Sequence, residues 1–166
     1  MNDQSGLNST WTDSLALNQH PDATALLAHL RTVHQRNTGF TETCASTCRD
    51  GTGRNSYEWL AEVVPDIDGT RVLDLACGSG PLLKILYDRH TKLQLKGVDM
   101  SPEELALAKA RLPDSAVDLI ELNAQDLTAI KDESIDVVLC HWALTLMNPI
   151  APVLNEVRRV APMHPW

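Results

Sequence analysis

The chain of 166 residues carries a formal net charge of −8 at pH 7, and 43% of its residues are apolar. This length fits one domain, and the apolar fraction can bury a core, which excludes a wholly disordered chain. The acidic balance disfavours sequence-independent binding to nucleic acid, and no apolar run approaches the roughly 20 residues of a membrane-spanning helix.

The first residues and the cysteines indicate a cellular compartment. The N-terminal sequence MNDQSGLNSTWTDS lacks the basic start and the apolar segment of a secretory signal. Without such a signal, the four cysteines are expected to be reduced thiols of a cytoplasmic protein. Cys44 and Cys48 have the spacing of one zinc-ligand pair, but no second pair follows, so no metal site is predicted.

The chain is predicted to begin with a tail that is followed by a helix. Residues 1–20 are rich in polar residues and predict a mobile tail. A helix is expected to begin at Pro21, because the fixed φ of proline suits the first helical position. The apolar face of this helix repeats at helical spacing, with leucine at positions 26, 27 and 30 and valine at position 33.

A loop and a second helix complete the N-terminal part. Residues 37–54 contain several glycines and many small polar residues, which predicts a loop. The second helix is expected to be capped by Asn55 or Ser56 and to stop at Pro65. Residues 21–65 are therefore expected to form a helical cap on the domain that follows.

From residue 66 onward, strand-like and helical segments alternate. Four short apolar segments predict strands: Arg71–Ala76, Leu93–Val98, Val117–Leu122 and Ile135–Cys140. The clearest helix start has Ser101 as N-cap, Pro102 at the first helical position and Glu104 closing a capping box. This alternation predicts a Rossmann-like, doubly wound and mostly parallel α/β domain of about four strands over residues 66–166.

The segment VLDLACGSG (Val72–Gly80) joins a buried strand to a helix through a turn of small residues. Doubly wound sheets bind ligands outside the carboxyl ends of their strands, where small residues let a ligand approach the backbone. Asp99 ends the next strand, 19 residues after Gly80, where a carboxylate can accept both hydroxyls of a ribose. Together these features predict a nucleotide-type cofactor. The alternative is that the glycines only make a turn and Asp99 only caps the next helix.

Three residues argue against a dinucleotide cofactor. Leu83 occupies the position of the third glycine of a dinucleotide fingerprint, and Pro81 removes an amide that a pyrophosphate would use. Asp74, within the strand, would repel a phosphate and favours a cationic or amine-bearing ligand. The site is expected to hold a nucleoside with a small polar tail, which disfavours a nicotinamide-dependent oxidoreductase.

Four segments follow one another along the chain: VLDLACGSG (Val72–Gly80), GVDMS (Gly97–Ser101), NAQDL (Asn123–Leu127) and IDVVLCHWALTLM (Ile135–Met147). In this order they resemble the motifs of class I S-adenosylmethionine-dependent methyltransferases, in the branch that includes the ubiquinone-biosynthesis methylases and many small-molecule methylases. The resemblance implies methyl transfer from S-adenosylmethionine to a small-molecule acceptor, with no nucleic acid or membrane as partner.

By this resemblance, the turn after the first strand would line the methionine end of the cofactor through Asp74, Ala76, Gly78 and Gly80. Ala76 replaces the first glycine of the family's commonest pattern, a change that is expected to be tolerated because the position need not have a positive φ. Cys77 would lie in the same cofactor-binding turn and is expected to fill it as a small residue. The adjacent helix N-terminus would lower the pKa of its thiol.

The resemblance also implies residues for the nucleoside. Asp99 would bind the ribose hydroxyls, with Met100 packing beside the adenine. Asp126 would accept a hydrogen bond from the adenine amino group, and the backbone of Leu127 would serve a ring nitrogen.

Cys140 and His141 would form the floor beneath the sulfonium. His141 has two open interpretations: a general base for an acceptor that must lose a proton, or a hydrogen bond to a loop carbonyl that only shapes the pocket. Trp142 either walls the substrate pocket or belongs to the core, and Tyr57 and Trp59 are expected to pack within the cap. The remaining histidines are expected at the surface: His20, His29, His34, His90 and His164.

The number of predicted strands departs from the family. Its sheet has seven strands, whereas this chain predicts about four, so a C-terminally truncated methyltransferase is expected. The fourth strand would then expose an apolar edge, which favours pairing with a second copy or with a completing chain. A non-catalytic cofactor-binding or interaction module is the alternative to an active methyltransferase.

Overall fold

The computed structural model describes residues 9–20, 22–89 and 92–162. In this part of the chain, four strands form one sheet: β1 (Arg71–Leu75), β2 (Gln94–Asp99), β3 (Val117–Glu121) and β4 (Val137–Leu139). Their order is β3-β2-β1-β4, and every neighbouring pair is parallel. The predicted Rossmann-like α/β fold is confirmed.

Helices precede the sheet and connect its strands. Those before β1 are α1 (Thr10–Ala16), α2 (Ala23–Arg36), α3 (Phe40–Thr47) and α4 (Ser56–Ala61). Those after it are α5 (Pro81–Arg89), α6 (Pro102–Arg111) and α7 (Ile150–Val160), with a turn of 3₁₀ helix at Leu144–Leu146. Among the described helices, none combines the length and the apolar character needed to cross a membrane.

Strand β1 buries side chains on both of its faces, as a central strand covered by helices on two sides should. Val72 belongs to an apolar cluster formed with α4 and α5. Leu73 and Leu75 belong to a second cluster, which α7 and the loop after β3 complete. Because side chains alternate along a strand, Asp74 lies on the same face as Val72, near the carboxyl end of the strand.

The register of the sheet brings the ligand-binding loops together. Leu75 of β1 lies opposite Val98 of β2, and Asp99 lies opposite Glu121 of β3. Because the strands are parallel, the loops that follow all four strands leave the same edge of the sheet. Doubly wound folds bind their ligands at this edge.

Gly97, in β2, has no room for a side chain. A Cβ there would lie 2.7 Å from Leu83 Cδ1, 2.9 Å from Leu119 Cδ2 and 3.0 Å from Cys77 Sγ. We expect Gly97→Ala to lower the free energy of unfolding in urea by about 1–3 kcal/mol, because overpacking displaces these neighbours. Gly51→Ala is the matched control, since no atom lies within 4 Å of its Cβ position. Equal stability of the two variants would refute this account of the packing.

The sequence predicts a mobile tail over residues 1–20, but residues 10–16 of this segment form helix α1, so the prediction is wrong there. Residues 1–8 lie outside the described residues. Ser9 caps α1 through a capping box with Thr12. The Ser9 hydroxyl also lies 2.8 Å from Nδ1 of His29 in α2, and Trp11 stacks on the same ring. A polar helix of this length is stabilised by its cap and its packing, which hydrophobic periodicity does not reveal. His29, predicted at the surface, is half-buried by these contacts.

The predicted loop over residues 37–54 also contains a helix, α3. Gly39 precedes it in the left-handed region, with φ of 78°, and the Gly39 N–H donates to Glu104 Oε1 at 2.8 Å. Ala45 of α3 is fully buried in the first apolar cluster. Contacts with distant residues therefore fix α3, whereas its local sequence favours a loop.

Strand β4 is shorter than the predicted Ile135–Cys140. The Ile135 N–H donates to the carbonyl of Val160 at the end of α7, and the first hydrogen bond to β1 runs from the Asp136 N–H to the Arg71 carbonyl, so the strand begins only at Val137. Within the described residues, β4 pairs with β1 alone and forms one edge of the sheet.

Candidate functional site

A cavity of about 310 Å³ opens at the carboxyl edge of the sheet. The loops after all four strands line it, together with residues of α2, α3, α4 and α6. A cavity of this volume suits a small organic ligand.

Three residues of the turn after β1 adopt a left-handed backbone conformation. The φ angle is 59° at Ala76, 53° at Gly78 and 75° at Gly80. The expectation that position 76 needs no positive φ is therefore wrong, and Ala76 adopts a conformation that costs an L-residue about 1–2 kcal/mol. Ala76 and Gly78 line the cavity, whereas Gly80 does not. A Cβ at Gly80 would lie 3.0 Å from the Cβ of Ala108, so this glycine lets α6 pack against the turn.

Asp99 connects the turn after β1 to the turn after β2. The Gly78 N–H donates to Asp99 Oδ2 at 2.8 Å, and the Ser101 N–H donates to Oδ1 at 2.9 Å. Asp99 is 7% exposed and lines the cavity. Burial raises the pKa of its carboxyl, and the two backbone hydrogen bonds oppose that rise. Each oxygen keeps a lone pair, so the carboxylate can accept further hydrogen bonds from the hydroxyls of a ligand.

Asp74 is 2% exposed and lines the same cavity. Burial raises the pKa of its carboxyl to about 8, and the negative charge of Asp99 adds to the rise. A positive charge in the cavity would stabilise both carboxylates, which otherwise repel each other. The pair therefore suits a ligand with a cationic group close to Asp74.

The two cysteines among the predicted site residues have different surroundings. Cys77 lines the cavity, but burial raises the pKa of its thiol, so the predicted lowering by the helix N-terminus is wrong. Cys140 packs on the second apolar cluster and does not line the cavity. Burial raises the pKa of the Cys140 thiol to about 11. Neither thiol is ionised at neutral pH, which disfavours both as nucleophiles.

The loop after β3 reaches the cavity with residues that precede the predicted ones. The residues of this loop that line the cavity are Leu122, Asn123, Ala124 and Gln125, and Met100 of the previous loop lines it beside them. Asp126 and Leu127 do not line it. Leu127 is fully buried, and its N–H donates to Glu156 Oε2 at 2.7 Å, so this amide is not available to a ligand. The sequence signal for Asn123 is its position just beyond the end of β3, at the ligand-binding edge.

His141 lines the cavity, but its partner differs from the predicted loop carbonyl. Its Nε2 lies 2.8 Å from Ser56 Oγ, and its Nδ1 is buried without a hydrogen-bond partner in the described structure. Burial lowers the pKa of the ring, so His141 is neutral at neutral pH. A neutral imidazole can accept a proton, and the same contacts also shape the wall of the cavity.

Three aromatic rings lie in a row at this wall: His141 stacks on Trp142 and contacts Tyr57 at a tilt of 31°. The ring centroids of Tyr57 and His141 are 3.9 Å apart, and those of His141 and Trp142 are 5.2 Å apart. Tyr57 is buried, and Trp142 is 52% exposed, yet both line the cavity. Trp142 therefore belongs to the wall of the cavity and not to the hydrophobic core. Trp59, predicted to pack within the cap, is exposed instead.

Glu104 attaches the N-terminal helices to the site. Its Oε1 accepts the hydrogen bond from the Gly39 N–H and lies 3.3 Å from His34 Nδ1. His34 is half-buried by this contact, so the prediction that it lies at the surface is wrong. His20 is exposed as predicted, and His90 and His164 lie outside the described residues. The Glu104 side chain does not close the predicted capping box, because Asp99 accepts from the Ser101 N–H instead.

Glu42 of α3 makes a second attachment. Its Oε2 accepts hydrogen bonds from Ser79 Oγ and from the Arg111 guanidinium, each at 2.7 Å. Ser79 belongs to the turn after β1, so one carboxylate joins α3, this turn and α6. Sequence reasoning missed these contacts, because they join residues that are 37 and 69 positions apart.

The contact between His34 and Glu104 predicts a pH-dependent stability. The hydrogen bond to Glu104 is the main reason that the pKa of His34 is raised. Its contribution to stability is therefore complete below about pH 6.5 and is lost as the pH rises through the raised pKa. We expect His34→Gln to lower the free energy of unfolding in urea by about 1 kcal/mol at about pH 6 and by less at about pH 9.

His20→Gln is the control for this experiment, since His20 is exposed and distant from Glu104 in the sequence. Its free energy of unfolding should follow that of the wild type at both pH values. A constant difference between His34→Gln and the wild type across this pH range would count against the ion pair.

A comparison with known families identifies the class of protein to which this fold belongs. Residues 73–162, more than half of the chain, match the family described as a methyltransferase domain. The chain therefore belongs to the methyltransferase-domain family, with the fold of the class I S-adenosylmethionine-dependent methyltransferases.

Individual relatives match parts of the chain. The bifunctional methionine biosynthesis protein MetXA/MetW of Rhodopirellula baltica is 32% identical over 128 residues, which are 72% of this chain and 20% of that protein. The ubiquinone biosynthesis O-methyltransferase of Leptothrix cholodnii is 32% identical over 85 residues, which are 49% of this chain and 35% of that protein. This chain thus spans about a fifth and about a third of the length of these two relatives.

Solved structures show the same fold. An S-adenosylmethionine-dependent methyltransferase from Mesorhizobium loti superposes with a TM-score of 0.56 at 25% identity, over 64% of this chain and 49% of that one. A Haloferax volcanii putative methyltransferase, solved in complex with the Trm112 activator, superposes with a TM-score of 0.65 at 21% identity. That match covers 79% of this chain and 55% of the solved one, and it supports the fold alone.

S-adenosylmethionine is the cofactor that family membership implies, and the residues around the cavity fit it. The Asp99 carboxylate has lone pairs free for hydroxyl donors at the ligand-binding edge. The buried carboxyl of Asp74, whose pKa is raised, suits the positive charges of the sulfonium and the ammonium group.

Proposed function

We propose that the protein binds S-adenosylmethionine in this cavity and transfers its methyl group to a small-molecule acceptor. The observation that carries the proposal is the Asp99 carboxylate, which accepts backbone hydrogen bonds from two turns while it lines the cavity. A ribose bound at Asp99 would lie between the loop after β3 on one side and Asp74 on the other.

The proposal assigns the cofactor-binding residues as follows. Asp99 would accept hydrogen bonds from the ribose hydroxyls. Asn123 and Ala124 would contact the adenine beside Met100. The Asn123 Oδ1 already accepts from the Gln125 N–H, so its N–H₂ would donate to a ring nitrogen, and alanine leaves room for a ring. Asp74 would balance the positive charge at the methionine end.

Bound S-adenosylmethionine supplies a sulfonium methyl group that is already strongly electrophilic. The main task of the protein is to hold the acceptor in line with it, and such positioning can supply roughly 7–11 kcal/mol. The aromatic wall of Tyr57, His141 and Trp142 would exclude water beside the acceptor. For a hydroxyl acceptor, His141 would take the proton, because burial keeps its ring neutral.

Transfer of a labelled methyl group tests the proposal. The protein is incubated with S-adenosylmethionine that carries a tritiated methyl group and with a mixed extract of small metabolites. Label is expected in products of low mass for the wild type and for Asp118→Asn, whose exposed side chain pairs with Lys96 outside the cavity. Asp99→Asn is expected to lose the label. Binding of S-adenosylhomocysteine by the wild type without any labelled product would refute the transfer step.

A non-catalytic cofactor-binding or interaction module is the second candidate, and the free edge of β4 favours it. Among the described strands, β4 pairs with β1 alone, and Val137 and Val138 are only half-buried. An open apolar edge pairs readily with another strand, so we propose a second copy or a completing chain at this edge. Sedimentation velocity should show association of the chain, and a monomer at every concentration would rule out pairing with a second copy.

We also propose the cytoplasm as the compartment of this protein. All four cysteines are free thiols, including the exposed Cys48, which suits a reducing environment. Cell fractionation tests the assignment, and recovery of the native protein from an extracellular fraction would be incompatible with it.

A further inference from the structure

We infer that the methyl acceptor is an uncharged molecule with an apolar body, bound in the part of the cavity between α2 and the loop after β4. This inference rests on the proposed function and names its substrate class. Two observations support it: the apolar side chains of that part, and the sign of the charges around the whole described cavity.

Helix α2 and the loop after β4 contribute apolar side chains that are only partly buried. The cavity-lining members are Leu26, Leu27 and Leu30 of α2, and Trp142, Leu146 and Met147 of the loop. A ligand that covers apolar surface gains about 25 cal/mol for each Å² removed from water. This part of the cavity therefore favours an apolar molecule over a polar one.

Acidic groups outnumber basic ones around the cavity. Its described lining contains four carboxyl groups and no lysine or arginine: Glu42, Asp74, Asp99 and Glu104. His34 also lines the cavity, but its imidazole is paired with Glu104. The Arg111 guanidinium lies outside the lining and is paired with Glu42. A carboxylate or phosphate on the acceptor would be desolvated without a counter-charge and repelled by these groups. The lining thus disfavours anionic acceptors.

The same carboxylates do not make a site for a cationic acceptor. Glu42 already accepts from Ser79 and Arg111, and Glu104 accepts from the Gly39 amide. Asp99 accepts from two backbone amides, and the proposed function assigns its remaining lone pairs, and Asp74, to the cofactor. The six apolar side chains of that part carry no charge, and His34, which also lines the cavity from α2, is already paired with Glu104. An uncharged acceptor is the class that matches it.

Trp142 is held where it can contact such an acceptor. Its φ of 55° is a rare backbone conformation for a bulky residue, and its ring stacks on His141. Strained residues of this kind persist where their surroundings fix them, and they cluster at binding sites. About half of Trp142 stays exposed, so its surface is available to an apolar ligand.

Calorimetry with three probes of similar size tests the inference. The protein is saturated with S-adenosylhomocysteine and titrated with 1-naphthol, 1-naphthoate and 1-naphthylmethylammonium. We expect 1-naphthol to bind at least about 10-fold more tightly than either ion, since each ion would lose its hydration in an apolar site. Binding of either ion as tight as that of 1-naphthol, or no measurable binding of 1-naphthol, would overturn the inference.

A charge placed in the apolar part gives a second test. Leu27→Arg should reverse the preference in favour of 1-naphthoate, whereas Leu15→Arg, exposed on α1 outside the lining, should leave it unchanged. An unchanged preference in a folded Leu27→Arg protein would overturn the inference. If S-adenosylhomocysteine fails to bind the wild type, the proposed function is wrong. The preference for 1-naphthol over 1-naphthoate, measured on the unloaded protein, would then still decide whether this part of the cavity binds uncharged apolar molecules.

Discussion

Replacement of Asp99 by asparagine is expected to weaken the binding of S-adenosylhomocysteine by about 100-fold or more. A ribose would donate two hydrogen bonds to this carboxylate, and a hydrogen bond to a charged group contributes about 1.5–3 kcal/mol. The loss of two such bonds corresponds to a loss of at least about 100-fold in affinity. Asparagine would also direct its amide N–H₂ at Gly78 N–H or Ser101 N–H, where the wild type presents an acceptor. Calorimetric titration of the wild type and the variant measures the effect.

Asp118→Asn is the matched control for Asp99→Asn. The substitution Asp118→Asn removes the same charge from β3, but the Asp118 side chain is exposed and pairs with Lys96 outside the cavity lining. Its affinity for S-adenosylhomocysteine should equal that of the wild type. Circular dichroism melting curves establish that Asp99→Asn is folded at the temperature of the titration. Wild-type affinity in the folded Asp99→Asn protein would disprove the placement of the ribose.

Asp74→Asn is expected to make the unliganded protein more stable. Burial raises the pKa of the Asp74 carboxyl from 3.8 to about 8, so the folded protein keeps a proton that the unfolded chain releases. The folded state therefore loses stability relative to the unfolded chain as the pH rises from about 4 to about 8. Asparagine stays neutral and removes this loss. We expect a gain of about 5 kcal/mol in the free energy of unfolding at about pH 8 and of about 1–2 kcal/mol at about pH 5.

The same replacement is expected to weaken binding of S-adenosylmethionine by about 10-fold, because a carboxylate beside the cationic end is lost. Urea denaturation at the two pH values and calorimetry measure the two effects. Asp118→Asn should show neither of them. If Asp74→Asn is no more stable than the wild type at the higher pH, the account of Asp74 as an unfavourably buried carboxyl fails.

The strand and turn that carry the proposed cofactor site are well predicted by local sequence. The run Val72–Leu75 is apolar enough to mark a buried strand, and the small residues after it mark a turn. Asp99 follows the next apolar run, and parallel strands bring the two turns to one edge. The hydrogen bond from the Gly78 N–H to Asp99 confirms that these two features lie side by side.

The N-terminal helices are the part of the fold that the sequence predicts least well. Helices α1 and α3 are short and polar, so neither shows the apolar periodicity that marks α2. Their stability depends on caps and on contacts with distant residues, such as that between Gly39 and Glu104. Such contacts follow from the tertiary structure and cannot be inferred from neighbouring residues.

The loop after β3 shows a different limit of sequence reasoning. The carboxylate of Asp126 attracts attention as a hydrogen-bond acceptor, yet its Oδ1 accepts from the Thr128 N–H outside the cavity. Asn123 and Ala124 have less conspicuous side chains but lie just beyond the end of β3. The end of the strand, which sequence places only within a few residues, decides which side chains reach the ligand.

A crystal structure of the protein with bound S-adenosylhomocysteine would test the central claim most directly. Both ribose hydroxyls should lie within about 3 Å of the Asp99 carboxylate oxygens. The adenine should lie against Ala124, and the ammonium group at the other end of the ligand should point toward Asp74. A nucleoside bound outside this cavity, or a ribose beyond hydrogen-bonding distance of Asp99, would contradict it.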